Sequence, residues 1–119
     1  MAYTNYKELT VWQKAMELTE EVYRLVKKLP KEETYALADQ MRRSVVSVPS
    51  NIAEGHGRNS KNEFRSFLSI ANGSLSELET QLIICARLGY FSESEIAVAL
   101  SISNEINRML IALILKLKT

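Results

Sequence analysis

Arg42, Arg43, Arg58, Lys61 and Arg65 fall in a stretch whose only acids are Glu54 and Glu63, a local charge of +3 in a chain of net +1. Guanidinium and ammonium groups at this density are the chemistry of phosphate recognition, because they supply fixed charge and several N–H donors. Pro49, Ser50, Asn51, Glu54 and Gly55 stand inside the same stretch, where small and polar residues replace the expected core. Two readings are open. In one, Ser50 and Asn51 satisfy backbone groups freed by Pro49, and Glu54 pairs with Arg58 one turn on. In the other, the segment is a recognition surface at one end of the molecule. Lys27, Lys28 and Lys31 add basic groups at the preceding turn, where Glu32 and Glu33 oppose them.

Bond-making chemistry has fewer candidates. The chain has one histidine, His56, placed between two glycines near a helix end, where terminal carbonyls are its natural partners. The single cysteine, Cys85, lies on an apolar stripe and reads as a small core residue. One cysteine forms no internal disulfide and suits a reducing cytoplasm. Glu-x-x-His pairs, a phosphate-cradling glycine loop and a nucleophile elbow are all missing from the sequence. The expectation is a non-enzyme without metal or cofactor.

The elements that position these residues are long helices. At 119 residues, with 46% hydrophobic and 24% charged residues, four glycines and two prolines, residues 1–119 form a single domain with little punctuation. Val11, Ala15, Leu18, Val22, Leu25 and Leu29 alternate spacings of four and three, which predicts a helix over about 10–29 that Pro30 ends. Thr10 and Gln13 are placed to form its capping box. The second helix, about 32–56, carries Leu37, Met41, Ser44, Val48 and Ile52 on one face. Pro49 predicts a kink near 45–49, the alternative being a break into two helices. Gly55 and Gly57 suit a left-handed cap.

Ser60 and Glu63 open a third helix, about 61–88, with the clearest heptad: Phe64, Leu68, Ala71, Leu75, Leu78, Leu82 and Cys85. Gly73 interrupts it at a cost of about 1 kcal/mol, which suggests that a neighbouring backbone approaches there. Ser92 and Glu95 cap a fourth helix, about 93–117. Its apolar sector is too wide for one groove, and Ile102, Ile106, Met109 and Leu113 are read as a face covered by another subunit. The result is an all-α, antiparallel, up-down-up-down four-helix bundle. The start of the chain shows no leader-like apolar segment, and the longest apolar run, Met109–Leu115, is far below the ~20 residues of a membrane span. A cytoplasmic protein without a membrane partner is expected.

Several landmarks resemble a known family. They include Leu9–Met16, Gln40–Ser44, and Val48-Pro49-Ser50-Asn51-Ile52-Ala53-Glu54-Gly55 followed by Arg58. Phe67–Ala71, Gly73–Leu75, Glu77–Leu82 and Leu88–Tyr90 complete the pattern, which spans about residues 5–117. The chain resembles the bacterial four-helix-bundle proteins first met in intervening sequences of 23S rRNA genes. That resemblance implies a ring-like homopentamer. It also implies kinship with the accessory variability protein of diversity-generating retroelements, which binds nucleic acid and a reverse transcriptase. The near-neutral charge of this chain departs from that basic relative.

The expected function is therefore a non-catalytic, oligomeric RNA- or nucleic-acid-binding accessory protein. Arg42, Arg43, Arg58, Lys61 and Arg65 would supply its phosphate contacts. The alternative is a ring-shaped scaffold that docks a partner protein and binds no nucleic acid.

Overall fold

The computed structural model describes residues 5–118. Met1–Thr4, where the sequence was read for a leader, and Thr119 lie outside them. Four α-helices carry the fold: α1 (Thr10–Val26), α2 (Leu37–His56), α3 (Lys61–Arg87) and α4 (Glu93–Lys116). Among the described residues there is no strand.

The apolar stripes explain the assembly. Val11, Ala15, Leu18, Val22 and Leu25 of α1 are buried, as are Met41, Val45, Val48 and Ile52 of α2. Every heptad residue of α3 from Leu68 to Cys85 is buried, and Phe64 packs against the same core. From α4, Ile96, Ala99, Ser103, Ile106 and Leu110 turn inward. Each helix touches its neighbours in the order α1–α2–α3–α4–α1, so one core runs down the middle. The particle is 49 Å long and 24 by 20 Å across.

The pairings also give direction. As α2 rises through Met41, Ser44, Ser47 and Gly55, its α3 partners fall through Cys85, Gln81, Ser74 and Phe67. Helices α2 and α3 therefore run antiparallel. Lys14 pairs with Glu105, and Leu9–Val11 adjoin Met109–Lys116, so α1 and α4 oppose each other too.

Several boundaries differ from the sequence reading. The first helix ends at Val26 because Lys28 and Leu29 close tighter turns onto Leu25 and Val26 ahead of Pro30. Thr10 is the first helical residue and not a cap; the Gln13 side chain instead reaches back to the Lys7 carbonyl at 2.9 Å. The second helix begins at Leu37 and not at 32. Lys31–Glu33 form one 3₁₀ turn, and Ala36 has a non-helical ψ of −101°.

Helix α2 then continues through Pro49 without a break, which removes the two-helix alternative. Neither Gly55 nor Gly57 is left-handed: Gly57 caps α2 at φ −79°, and Gly89 has the only positive φ among the described residues.

By length and composition α4 is long and apolar enough to cross a membrane, with a mean hydropathy of 1.5 over its most apolar window. In the bundle its inner face forms part of the shared core, and its outer face carries Asn104 and Arg108.

Candidate nucleic-acid interface

Helix packing decides which basic groups meet. The turn between α2 and α3 is only Gly57–Ser60, tight because Gly57 closes onto Ala53 and Glu54 while Ser60 caps α3 by accepting the Glu63 N–H at 3.1 Å. Arg58, Lys61 and Arg65 stand at this turn. Arg42 and Arg43 lie some fourteen residues back along α2, about 20 Å away at the helical rise. The five sequence-adjacent basic residues are therefore split between two regions of the bundle.

Their partners differ as well. Arg58 donates to Glu54 at 2.8 Å, lies 3.8 Å from a Glu63 oxygen and stacks its guanidinium 4.8 Å above the Phe67 ring. Two carboxylates and an aromatic face already answer its charge, making it a clamp across the turn. Arg65 bonds the Asn62 side chain, and Lys61 occupies the first position of α3. Arg42 donates to the Thr34 carbonyl at 3.2 Å and so holds the turn preceding α2. Arg43 pairs with Asp39 at 3.2 Å while its side chain stays 80% exposed.

Basic residues overlooked by the linear reading join this end from elsewhere. The antiparallel course of α1 and α4 brings Lys7, Lys116 and Lys118 to the end that holds the α2–α3 turn. If the bundle is divided at the helix midpoints, this half carries eight Lys and Arg against five acids, a net +3. The other half has seven against nine, a net −2. The chain is electrically polarised along its axis. The signal was present in the C-terminal lysines, but only topology places them with Lys61.

The residues around Pro49 prove to be a helix–helix seam. Pro49 is buried, and its neighbour Asn51 donates to the Ser47 carbonyl and the Ser47 hydroxyl, each at 2.8 Å. The expected compensation would have been at the Val45 carbonyl, the acceptor that Pro49 leaves without its usual partner. Ser74 of α3 donates to the same Ser47 hydroxyl at 2.9 Å. One level on, Ser44 donates to Gln81 at 3.0 Å inside the buried interface. Gly55 is buried against Phe64 and Phe67 of α3. Glu54 is exposed and pairs with Arg58 as the sequence suggested, and Ser50 is exposed beside Pro49 in a shallow groove with Tyr6 and Trp12.

The remaining candidates are structural. Ile106 is fully buried within its own chain, so it belongs to the core and not to a surface offered to another subunit; Ile102, Met109 and Leu113 are half-buried against the same core. The large outward apolar residues of α4 are Val98, Ile111 and Leu115. The Cys85 thiol contacts the Met41 sulfur at 3.6 Å, and burial pushes its pKa up to about 11. A thiol held protonated in this way is a poor nucleophile. His56 packs its ring edge-on against Phe64 at 5.8 Å. Among the described residues, no three His, Cys, Asp or Glu side chains gather as a metal-binding group.

Comparison with known proteins supplies the family. The profile of the 23S rRNA-intervening sequence proteins matches residues 7–112. A solved structure from Bacteroides thetaiotaomicron, described as a protein with unknown function from the S23 ribosomal protein family, superposes with a TM-score of 0.82. It is 29% identical, and the match covers 88% of this chain and 98% of that one. No curated protein matches. With the family profile spanning nearly all of its bundle, this chain is a member of the 23S rRNA-intervening sequence protein family.

Proposed function

We propose that this chain is a non-catalytic accessory protein of the cytoplasm that binds RNA or another nucleic acid as a homo-oligomer. The family resemblance suggests a ring of five copies. The observation that carries the reading is the charge polarity: Lys61, Arg65, Lys7, Lys116 and Lys118 converge on one end although the whole chain is close to neutral. Repetition around a symmetry axis multiplies such a modest cluster into a continuous basic surface, which one copy does not provide. Lys61 and Arg65 are the contacts most consistent with phosphate binding; Arg58 serves mainly to hold the turn. Arg42 and Arg43 belong to a second region.

A fluorescence-anisotropy titration of structured and single-stranded RNA, repeated from low to physiological salt, tests this directly. Phosphate contacts give a log–log salt slope of roughly one per contact. Replacing Lys61, Arg65 and Lys118 with glutamine should flatten that slope; an unchanged slope would remove the assignment.

A second reading is a ring-shaped scaffold for a partner protein such as a reverse transcriptase. It is favoured by the clamping of Arg58 between Glu54 and Glu63, which takes charge away from the proposed phosphate surface. Absence of RNA binding at low salt would select this reading.

A further inference from the structure

The α2–α3 seam opens at mid-bundle into a polar pocket of ≈ 250 Å³, lined by Gln40, Arg43, Ser44, Ser47, Ser74 and Glu77. Three landmark segments of the sequence, Gln40–Ser44, Gly73–Leu75 and Glu77–Leu82, supply all of these residues but Ser47. The floor of the pocket is fixed. Buried Ser44 bonds Gln81, and the half-buried Ser47 hydroxyl accepts from Asn51 at 2.8 Å and from Ser74 at 2.9 Å. The exposed rim is uncommitted. Among the described residues, neither the Gln40 side-chain amide nor the Glu77 carboxylate has a hydrogen-bond or ion-pair partner. Arg43 donates to Asp39 through Nε at 3.2 Å, which leaves its two terminal nitrogens for a ligand.

The charges at the rim select a ligand class. A phosphate would meet the Glu77 carboxylate, and a cation would meet the Arg43 guanidinium. A neutral planar group with two adjacent donors and two adjacent acceptors satisfies both side chains. Among the four RNA bases only guanine has such edges: N1–H and N2–H are neighbouring donors, and O6 and N7 are neighbouring acceptors. Single-stranded RNA presents its bases unstacked and open to recognition of this kind. The pocket also lies near the phosphate surface. Ser74 is nine residues from Arg65 along α3, about 14 Å at the helical rise, a span that a few nucleotides bridge.

We propose that this pocket reads a guanine base of single-stranded RNA. The Glu77 carboxylate accepts the N1–H and N2–H of the base, and the terminal nitrogens of Arg43 donate to its O6 and N7. The proposal rests on the RNA reading of the preceding section and adds a base preference to it.

Anisotropy titrations at low salt test it with short uridine oligomers that carry one central guanine, inosine or 7-deazaguanine. Inosine lacks the N2 amino group, and 7-deazaguanine lacks the N7 acceptor. The guanine strand should bind on the order of tenfold tighter than either analogue. Glu77→Ala should erase the guanine–inosine difference and keep the other; Arg43→Ala should erase the guanine–deazaguanine difference and keep the first. Circular dichroism confirms that both variants remain helical. Equal affinity of the wild type for all three strands would overturn the pocket while leaving the RNA reading standing. Preferences that survive both substitutions would overturn it in the same way. Absence of RNA binding even at low salt would remove the RNA reading, and the pocket with it.

Discussion

A methyl group added to Gly55 would place its carbon 2.6 Å from the Cβ of Phe67, with Phe64 Cδ1 at 3.0 Å and the Phe64 carbonyl oxygen at 3.3 Å. A side-chain tip could swing aside, but a Cβ moves only with its backbone. Gly55→Ala must therefore push α2 and α3 apart where the short turn ties them together. The expected cost is about 1–3 kcal/mol, the usual range for overpacking a close contact. A urea denaturation midpoint equal to wild type would mean that the helices yield there freely.

Gly73 is the opposite case. A Cβ at this position meets nothing within 4 Å, and the residue is exposed in the middle of the 27-residue α3. Gly73→Ala should stabilise the chain by about 1 kcal/mol through helix propensity and a less flexible unfolded state. A thermal melt shifted downward would show that another backbone occupies this face in solution.

The contrast between these glycines shows what the sequence could and could not disclose. The heptad on α3 and the stripe on α1 were legible because burial repeats with the helix period, and those residues are the core. The close approach was assigned to Gly73 because a glycine inside a strong heptad draws attention. The site that needs glycine lies at Gly55, beside a turn, where glycine has an ordinary explanation as a cap. The basic residues divide into two regions for a related reason. Sequence proximity joined Arg42 and Arg43 to Arg58, while several turns of continuous helix separate them and the chain's far ends bring in Lys7 and Lys118. Ile106 was assigned to an outer face because the wide apolar sector of α4 left the rotational choice open; packing buries Ile96, Ala99, Ser103, Ile106 and Leu110 and leaves Ile102, Met109 and Leu113 half-buried at the edge of the core.

Ser44 and Gln81 form a buried polar link between α2 and α3, and the two side chains are unequally placed. Both residues are 4% exposed; the Ser44 hydroxyl shares its one proton between Gln81 and the Gln40 carbonyl, 2.8 Å away, whereas the Gln81 side chain has Ser44 as its partner. Ser44→Ala should cost about 1–3 kcal/mol by stranding a buried amide. Adding Gln81→Leu should recover part of that loss, a coupling that a double-mutant cycle in urea would measure. Strict additivity of the two changes would show that the link contributes nothing of its own.

Acid should loosen the start of α4. Ser92 accepts the Glu95 N–H at 3.2 Å, and the Glu95 carboxylate accepts the Ser92 N–H at 2.8 Å. The backbone bond to Ser92 holds the Glu95 carboxyl below its usual range, with Lys28 and the Ser92 hydroxyl helping. A carboxyl depressed in the folded state binds fewer protons there than in the unfolded chain. Its stabilising contribution is therefore present above the ordinary carboxylate pKa of about 4.5 and is lost as pH falls below it through the folded value. Glu95→Ala should lower stability at neutral pH, and the gap from wild type should narrow as the pH is taken down toward 3. Denaturation midpoints for both proteins across that window give the comparison. A gap of constant size at every pH would mean that the carboxylate charge plays no part in the cap.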